Sequence, residues 1–99
     1  MTTEIRNSGE SITVILSGRL DTLAAIQCED DIRPAIMKAD RNIVLDCSGL
    51  EYISSSGIRI FIELLSTTRS MGGSLRVVNM PEDIRQIFIM AGIARRFGL

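Results

Sequence analysis

Histidine and tryptophan are both absent from these 99 residues, and lysine occurs once, at Lys38. Without histidine there is no Ser-His-Asp hydrolysis, no imidazole ligand for a metal, and no side chain whose ordinary pKa lies near neutrality. Lys38 adjoins no serine, which leaves a Ser-Lys dyad without support. Neither a Gly-x-x-x-x-Gly-Lys loop nor a Gly-x-Gly-x-x-Gly fingerprint occurs. The two cysteines, Cys28 and Cys47, have no metal-ligand spacing and read as small buried thiols. Four aromatics, one Tyr and three Phe, imply a core built from aliphatic side chains. Asp21, Asp46 and Glu51 are the acids nearest to a carboxylate pair. Asp46, at the end of an apolar run, reads instead as bound to the backbone that follows it. The expectation is a chain that is not an enzyme and needs no cofactor.

Charge is equally sparing. Twelve acidic against eleven basic residues leave a net charge of −1. The basic residues are scattered, with only Arg95 and Arg96 adjacent, so no stripe exists to hold nucleic acid. No apolar run approaches the ~18 residues that a membrane helix needs. The start, Met1-Thr-Thr-Glu-Ile-Arg, lacks the shape of a signal peptide. The chain therefore reads as a single cytoplasmic domain over residues 1–99, with no membrane insertion and no nucleic-acid partner.

What is present is a regular alternation of short elements. Ile5 to Ile12 reads as strand, tight turn at Asn7-Ser8-Gly9-Glu10, and return strand. Thr13 to Ser17 continues in β-branched character until Gly18 breaks the run. Asp21-Thr22 caps a helix with Cys28, Ile32, Ile36 and Ala39 on one face, and Pro34 should kink or split it. The acidic Glu29-Asp30-Asp31 on that helix reads as a solvated face. Asn42 to Asp46 reads as a short strand covered on both faces. A loop from Asp46 to Gly57 leads into a helix over 57–71, with Ile58, Phe61, Ile62 and Leu65 as its apolar stripe. Gly72-Gly73 fits a left-handed helix end, and Leu75 to Asn79 is the next strand, parallel to the one before. Pro81 opens a last helix, with Ile84, Ile87, Phe88 and Ala91 inward and Gly92 as its stop. Ile93 and Phe97 then tuck back onto the core. The sum is a small α/β domain with a mixed, mostly parallel sheet and helices packed on it.

Three consecutive serines, Ser54, Ser55 and Ser56, stand where the second helix opens. A serine there caps unpaired backbone N–H groups, and the same groups suit an anion. A phosphate esterified to one of these serines is thus compatible with the fold. From the loop alone, simple caps and turn fillers are the favoured reading.

The loop Asp46-Cys-Ser-Gly-Leu-Glu-Tyr-Ile-Ser-Ser-Ser-Gly57, with Gly18-Arg-Leu-Asp21 before it and Met71-Gly-Gly-Ser-Leu-Arg76 after it, resembles a STAS domain of the anti-sigma-factor-antagonist type. The likeness runs from about Thr3 to the C-terminus. In that family a G-x-L-D motif ends the second strand and a D-S-S-G or S-S-x-G loop opens the second helix. The resemblance implies that Ser55 is the phosphoacceptor, with Ser56 and Ser54 as alternates. It further implies that Asp21 lies near the acceptor and contacts the partner. Ser54 stands where the family has an aspartate. The implied partners are an anti-sigma factor that is also a serine kinase, and a serine phosphatase. Unphosphorylated, the chain would bind the anti-sigma factor and release a sigma factor. The expected docking surface joins Asp21 and Thr22 to Ser54, Ser56, Gly57, Ile58 and Arg59. The alternatives are a scaffold subunit of a signalling or transport assembly, and a domain that binds a nucleotide or lipid.

Overall fold

The computed structural model describes residues 1–37 and 42–99. Its elements are β1 (Thr2–Asn7), β2 (Ser11–Leu20), α1 (Thr22–Met37), β3 (Asn42–Ile53), α2 (Ser55–Ser70), β4 (Ser74–Val78) and α3 (Glu82–Met90), followed by a 3-10 turn over Ala94–Phe97. The sheet order is β1-β2-β3-β4. The first pair is antiparallel and the other two are parallel, so the mixed, mostly parallel sheet expected from the sequence is present.

The β1–β2 hairpin closes where Asn-Ser-Gly predicts it. The Asn7 carboxamide oxygen accepts from the Gly9 amide at 3.0 Å, and the Ser8 amide donates to the Ser11 carbonyl. Right-handed crossovers between neighbouring parallel strands lay α1 and α2 on the same face of the sheet, where the two helices touch. That face is the core side: Ile12, Val14, Leu16, Ile43, Leu45 and Cys47 are buried against it, together with Cys28, Ile32 and Ile36 of α1. Apolar side chains this deeply buried are the main stabilising term, about 1.5–3 kcal/mol each relative to exposure. Phe61, Phe88 and Phe97 meet edge to face, with centroids 5.4 to 6.0 Å apart, and tie α2, α3 and the C-terminal turn together. The tail therefore folds back as expected, with Phe97 buried and Ile93 half-buried.

Several expectations need correction. β3 does not stop at Asp46. It runs on to Ile53 and keeps pairing with β2, Ser17 opposite Gly49 and Leu20 opposite Ile53. Gly18 does not end β2 either. Its φ of +100° lets the strand pass through a register shift and continue to Leu20. Met1 packs so close that a Cβ on Gly18 would lie 3.2 Å from its Cα. The sheet is also covered on one face only, since Thr13, Ile15 and Val44 on the other are half-buried. Pro34 does not split α1, which is a single helix from Thr22 to Met37. It sits on the exposed side, where the carbonyl it leaves unbonded can turn to water. Ala39 lies outside the described residues. Ala91 is exposed and forms the C-cap of α3 rather than part of its apolar stripe. In α2 the buried line is Ile60, Phe61, Leu64 and Leu65, while Ile58 and Ile62 flank it half-buried. That helix ends as predicted: Gly72 takes φ +79°, and the amides of Gly72 and Gly73 bond back to Arg69 and Thr68.

Candidate functional site

The site is built at the carboxyl edge of the two central strands. Because Leu20 pairs with Ile53, the chain leaves β2 and β3 side by side, and each turns at once into a helix. Asp21 heads α1 and Ser54 heads α2. The Asp21 carboxylate accepts from the Ala24 amide at 2.9 Å while its backbone carbonyl accepts from Ala25. This is the cap that Asp21-Thr22 predicts.

The three serines have three different environments. The half-buried Ser54 hydroxyl donates to the Leu20 carbonyl at 3.0 Å and accepts from the Gly57 amide at 3.1 Å. The Ser54 amide also donates to Leu20. Ser54 is thus both the N-cap of α2 and the clasp between the ends of β2 and β3. Ser55, the first residue of the helix, is exposed, and Ser56 is half-buried. The helix begins two residues earlier than expected, which places Ser55 and Ser56 in its first turn and not before it.

Gly57 shows why the residue after the serines has no side chain. A Cβ there would meet Ile53 Cγ1 at 2.8 Å and Leu20 Cγ at 2.9 Å. The first turn of α2 lies directly on the ends of both strands, and even a methyl group would force it away. Gly49 is as tightly held, with Ser17 Oγ 2.5 Å from the place of its Cβ.

Electrostatics separate α2 from its neighbours. α1 is headed by the Asp21 carboxylate, and α3 carries Glu82 and Asp83 in its first turn. The first turn of α2 contains no acid, so the positive end of its dipole meets only the neutral Ser54 hydroxyl. At the far end of the strand's first half, Asp46 accepts from the Ser48 amide at 3.0 Å and from the Asn79 carboxamide at 3.3 Å. The Ser48 amide is the main cause holding its carboxyl below the usual range. Asp46 is therefore a backbone-binding residue, as the sequence indicates.

Of the expected docking residues, the structure brings Asp21 and Thr22 to the same edge as Ser54, Ser55, Ser56 and Gly57. Arg59 is exposed one turn along α2, and the half-buried Ile58 packs against the core. Three residues at this edge escape sequence reasoning. Leu23, in the first turn of α1, is 79% exposed although apolar. A helical wheel drawn through Cys28, Ile32 and Ile36 already puts it off the buried face, which was the available signal. Arg19 lies over the ring of its cross-strand partner Tyr52, 4.3 Å from the centroid. That pairing needs the register of β3 beyond Asp46, which the sequence hides. A groove of about 610 Å³ opens beside these residues, between Met1, Gly18 and the head of α1, with Asp21, Asp31 and Glu51 in its wall.

The chain is 29% identical over 82 residues to BtrV of Bordetella bronchiseptica, named as an anti-sigma factor antagonist, covering 83% of this chain and 71% of that protein. It is 25% identical over 91 residues to the anti-sigma-B factor antagonist of Bacillus subtilis, covering 91% and 82%. The fold matches the Bacillus anti-sigma factor antagonist SpoIIAA in its unphosphorylated form with a TM-score of 0.83 at 20% identity, over 95% of this chain and 84% of that one. It matches SpoIIAA in its phosphorylated form at 0.76 and 21%, over 95% and 86%. The sequence model of the STAS domain matches residues 2–99: the chain belongs to the STAS domain family, and its relatives there are anti-sigma factor antagonists.

Proposed function

We propose that this chain is a phosphorylation-controlled anti-sigma factor antagonist, a binding protein without catalytic chemistry of its own. In its unphosphorylated form it docks an anti-sigma factor that is also a serine kinase, and the sigma factor held by that protein is released. The kinase supplies ATP. The Ser55 Oγ–P bond forms as the bond from the γ-phosphorus to ADP breaks, and the hydroxyl proton is lost to a base of the kinase. A serine phosphatase hydrolyses the ester and restores the hydroxyl. The whole of residues 1–99 acts as one unit in this cycle, in the cytoplasm. Among the described residues no helix is long and apolar enough to cross a membrane.

The observation that carries this reading is the exposed Ser55 hydroxyl in the one helix start at this edge that lacks an acid. A phosphate there adds a charge of about −1.5 to −2 and three strong acceptors. The amides of the first turn and the helix dipole favour it, so the fold tolerates it. A docked partner does not share that benefit. It must desolvate the new charge or face it across Asp21, and each ~1.4 kcal/mol of that cost weakens binding tenfold. SpoIIAA has been solved in both states, and both superimpose on this chain. Ser54 and Ser56 are the alternate acceptors. Ser54 would first have to give up its bonds to Leu20 and Gly57.

The test is capture from native lysate with wild type, Ser55→Ala and Ser55→Asp as baits, joined to phosphosite mapping of the endogenous protein. A kinase held by the first two and at least tenfold less by Ser55→Asp, with phosphate mapped to Ser55, is the expected result. Equal capture by all three baits would leave a constitutive scaffold.

A further inference from the structure

Ser55, Arg59 and Glu63 stand on one line of α2, each one turn from the next. In the unmodified protein the Arg59 guanidinium reaches forward to Glu63, but only loosely. Their closest N···O distance is 3.8 Å, and both side chains are more than half exposed. Such exposed pairs contribute little. The order is also the poorer one for a helix, because a cation followed four residues later by an anion opposes the dipole. A helical side chain leans back toward the preceding turn, so the natural direction of Arg59 is toward Ser55, not toward Glu63.

We propose that Arg59 is the cation that receives a phosphate carried on Ser55, exchanging Glu63 for it. The inference rests on Ser55 being the acceptor, as argued above, and adds what happens next. A phosphoserine at position 55 puts the anion four residues before the cation, the favoured order. It also offers the planar guanidinium fork more than one charged acceptor, where Glu63 now gives a single long contact. The first turn of α2 holds no basic residue, and Arg59 is the first cation along the helix. Arg19, the nearest cation of the neighbouring strand β2, is stacked on Tyr52. Among the described residues the acids at this edge include Asp21, engaged with the Ala24 amide, and Asp31 and Glu51 in the wall of the adjoining groove. All three repel the phosphate, and Arg59, one turn along the same helix, is the cation placed to answer it. Modification then changes more than one position of the surface: the phosphate is held down on the helix, and the Glu63 carboxylate, two turns on, loses its partner.

The experiment uses the full chain with phosphoserine installed at position 55 during translation, and follows the second ionisation of the phosphate by 31P NMR titration at low salt. Wild type, Arg59→Gln, Glu63→Gln and Arg69→Gln are compared, all four positions being exposed, with far-UV circular dichroism to confirm the fold. Arg59→Gln is expected to raise the midpoint by about 0.3 pH units or more, the size of one helical ion pair. Glu63→Gln, which removes the competitor, should lower it, and Arg69→Gln at the other end of the helix should leave it unchanged. An identical midpoint in wild type and Arg59→Gln, or an equal shift in Arg69→Gln, would overturn the role of Arg59. Neither result touches whether Ser55 is modified in cells. That question is decided by the phosphosite mapping, whose failure would not alter the titration.

Discussion

Adjacent serines of identical chemistry do unlike work here because the helix start fixes where each hydroxyl points. Ser54 Oγ is both donor and acceptor in a half-buried clasp, while Ser55 is an exposed residue. Removing the first leaves the Gly57 amide without its cap and the Leu20 carbonyl with one donor fewer. Removing the second costs the fold nothing comparable. Ser54→Ala is therefore expected to lower unfolding stability by about 1–2 kcal/mol, and Ser55→Ala by less than about 0.5 kcal/mol. Urea unfolding of both variants against wild type checks the pair. A larger loss from Ser55→Ala than from Ser54→Ala would mean that the cap is misassigned. The aspartate that the family resemblance expects at position 54 can cap a helix too, which explains how a hydroxyl replaces it without loss of the fold. With Ser54 in its place, the start of α2 carries no negative charge until one is added.

At the scale of elements, what could be read from the sequence and what could not divide along one physical line. Elements whose hydrophobic period is undisturbed were legible: the stripe Cys28, Ile32, Ile36 gives α1, and the Asn7-Ser8-Gly9 turn gives the hairpin. The second half of β3 was not. Asp-Cys-Ser-Gly is turn chemistry, and Asp46 does bond the Ser48 amide as in a turn. Past that point Cys47, Leu50 and Ile53 are buried at every third position, because register shifts between β2 and β3 break the period of two. A strand with a period of three cannot be told from a loop without its partner. The site suffered most from this, since the Arg19–Tyr52 contact and the adjacency of Asp21 and Ser54 both depend on that hidden register. The acidic head of α1 and the serine start of α2 were legible because capping is local. If β3 extends as described, amide hydrogen exchange across residues 49–53 will be slowed to the same order as in residues 43–46. Exchange there at the rate of an open loop would return the segment to the loop that its composition resembles.

For the molecule as a whole, the two thiols report how firmly the layers hold together. Cys28 belongs to α1 and Cys47 to β3. They are buried and free on either side of the same interface. Burial pushes the Cys28 thiol up to about 11, against a hydrogen bond with Thr3 that lowers it. Burial likewise pushes Cys47 up to about 12, helped by the charge of Asp46. Both groups are easier to ionise once the chain unfolds, so their linkage has a definite sign. The stability they contribute is fully present below about pH 9, the ordinary thiol value. It is lost as pH rises through the window from about 9 to about 11–12. Opposite to this, the Asp46 carboxyl contributes stability above its ordinary value and loses it as pH falls through its lowered one. The protein should therefore hold a stability plateau between the two limbs. At pH 8 a thiol reagent should label Cys47 only at the rate of global opening, because the α1–sheet interface must part before its sulfur is reached. Added denaturant should accelerate that labelling in parallel with unfolding. Cys28 is a poorer reporter, since it lines the groove at the head of α1. Fast labelling of Cys47 in the absence of denaturant would show that α1 lifts off by itself, and Asp21 and Ser55 would then not share one rigid edge.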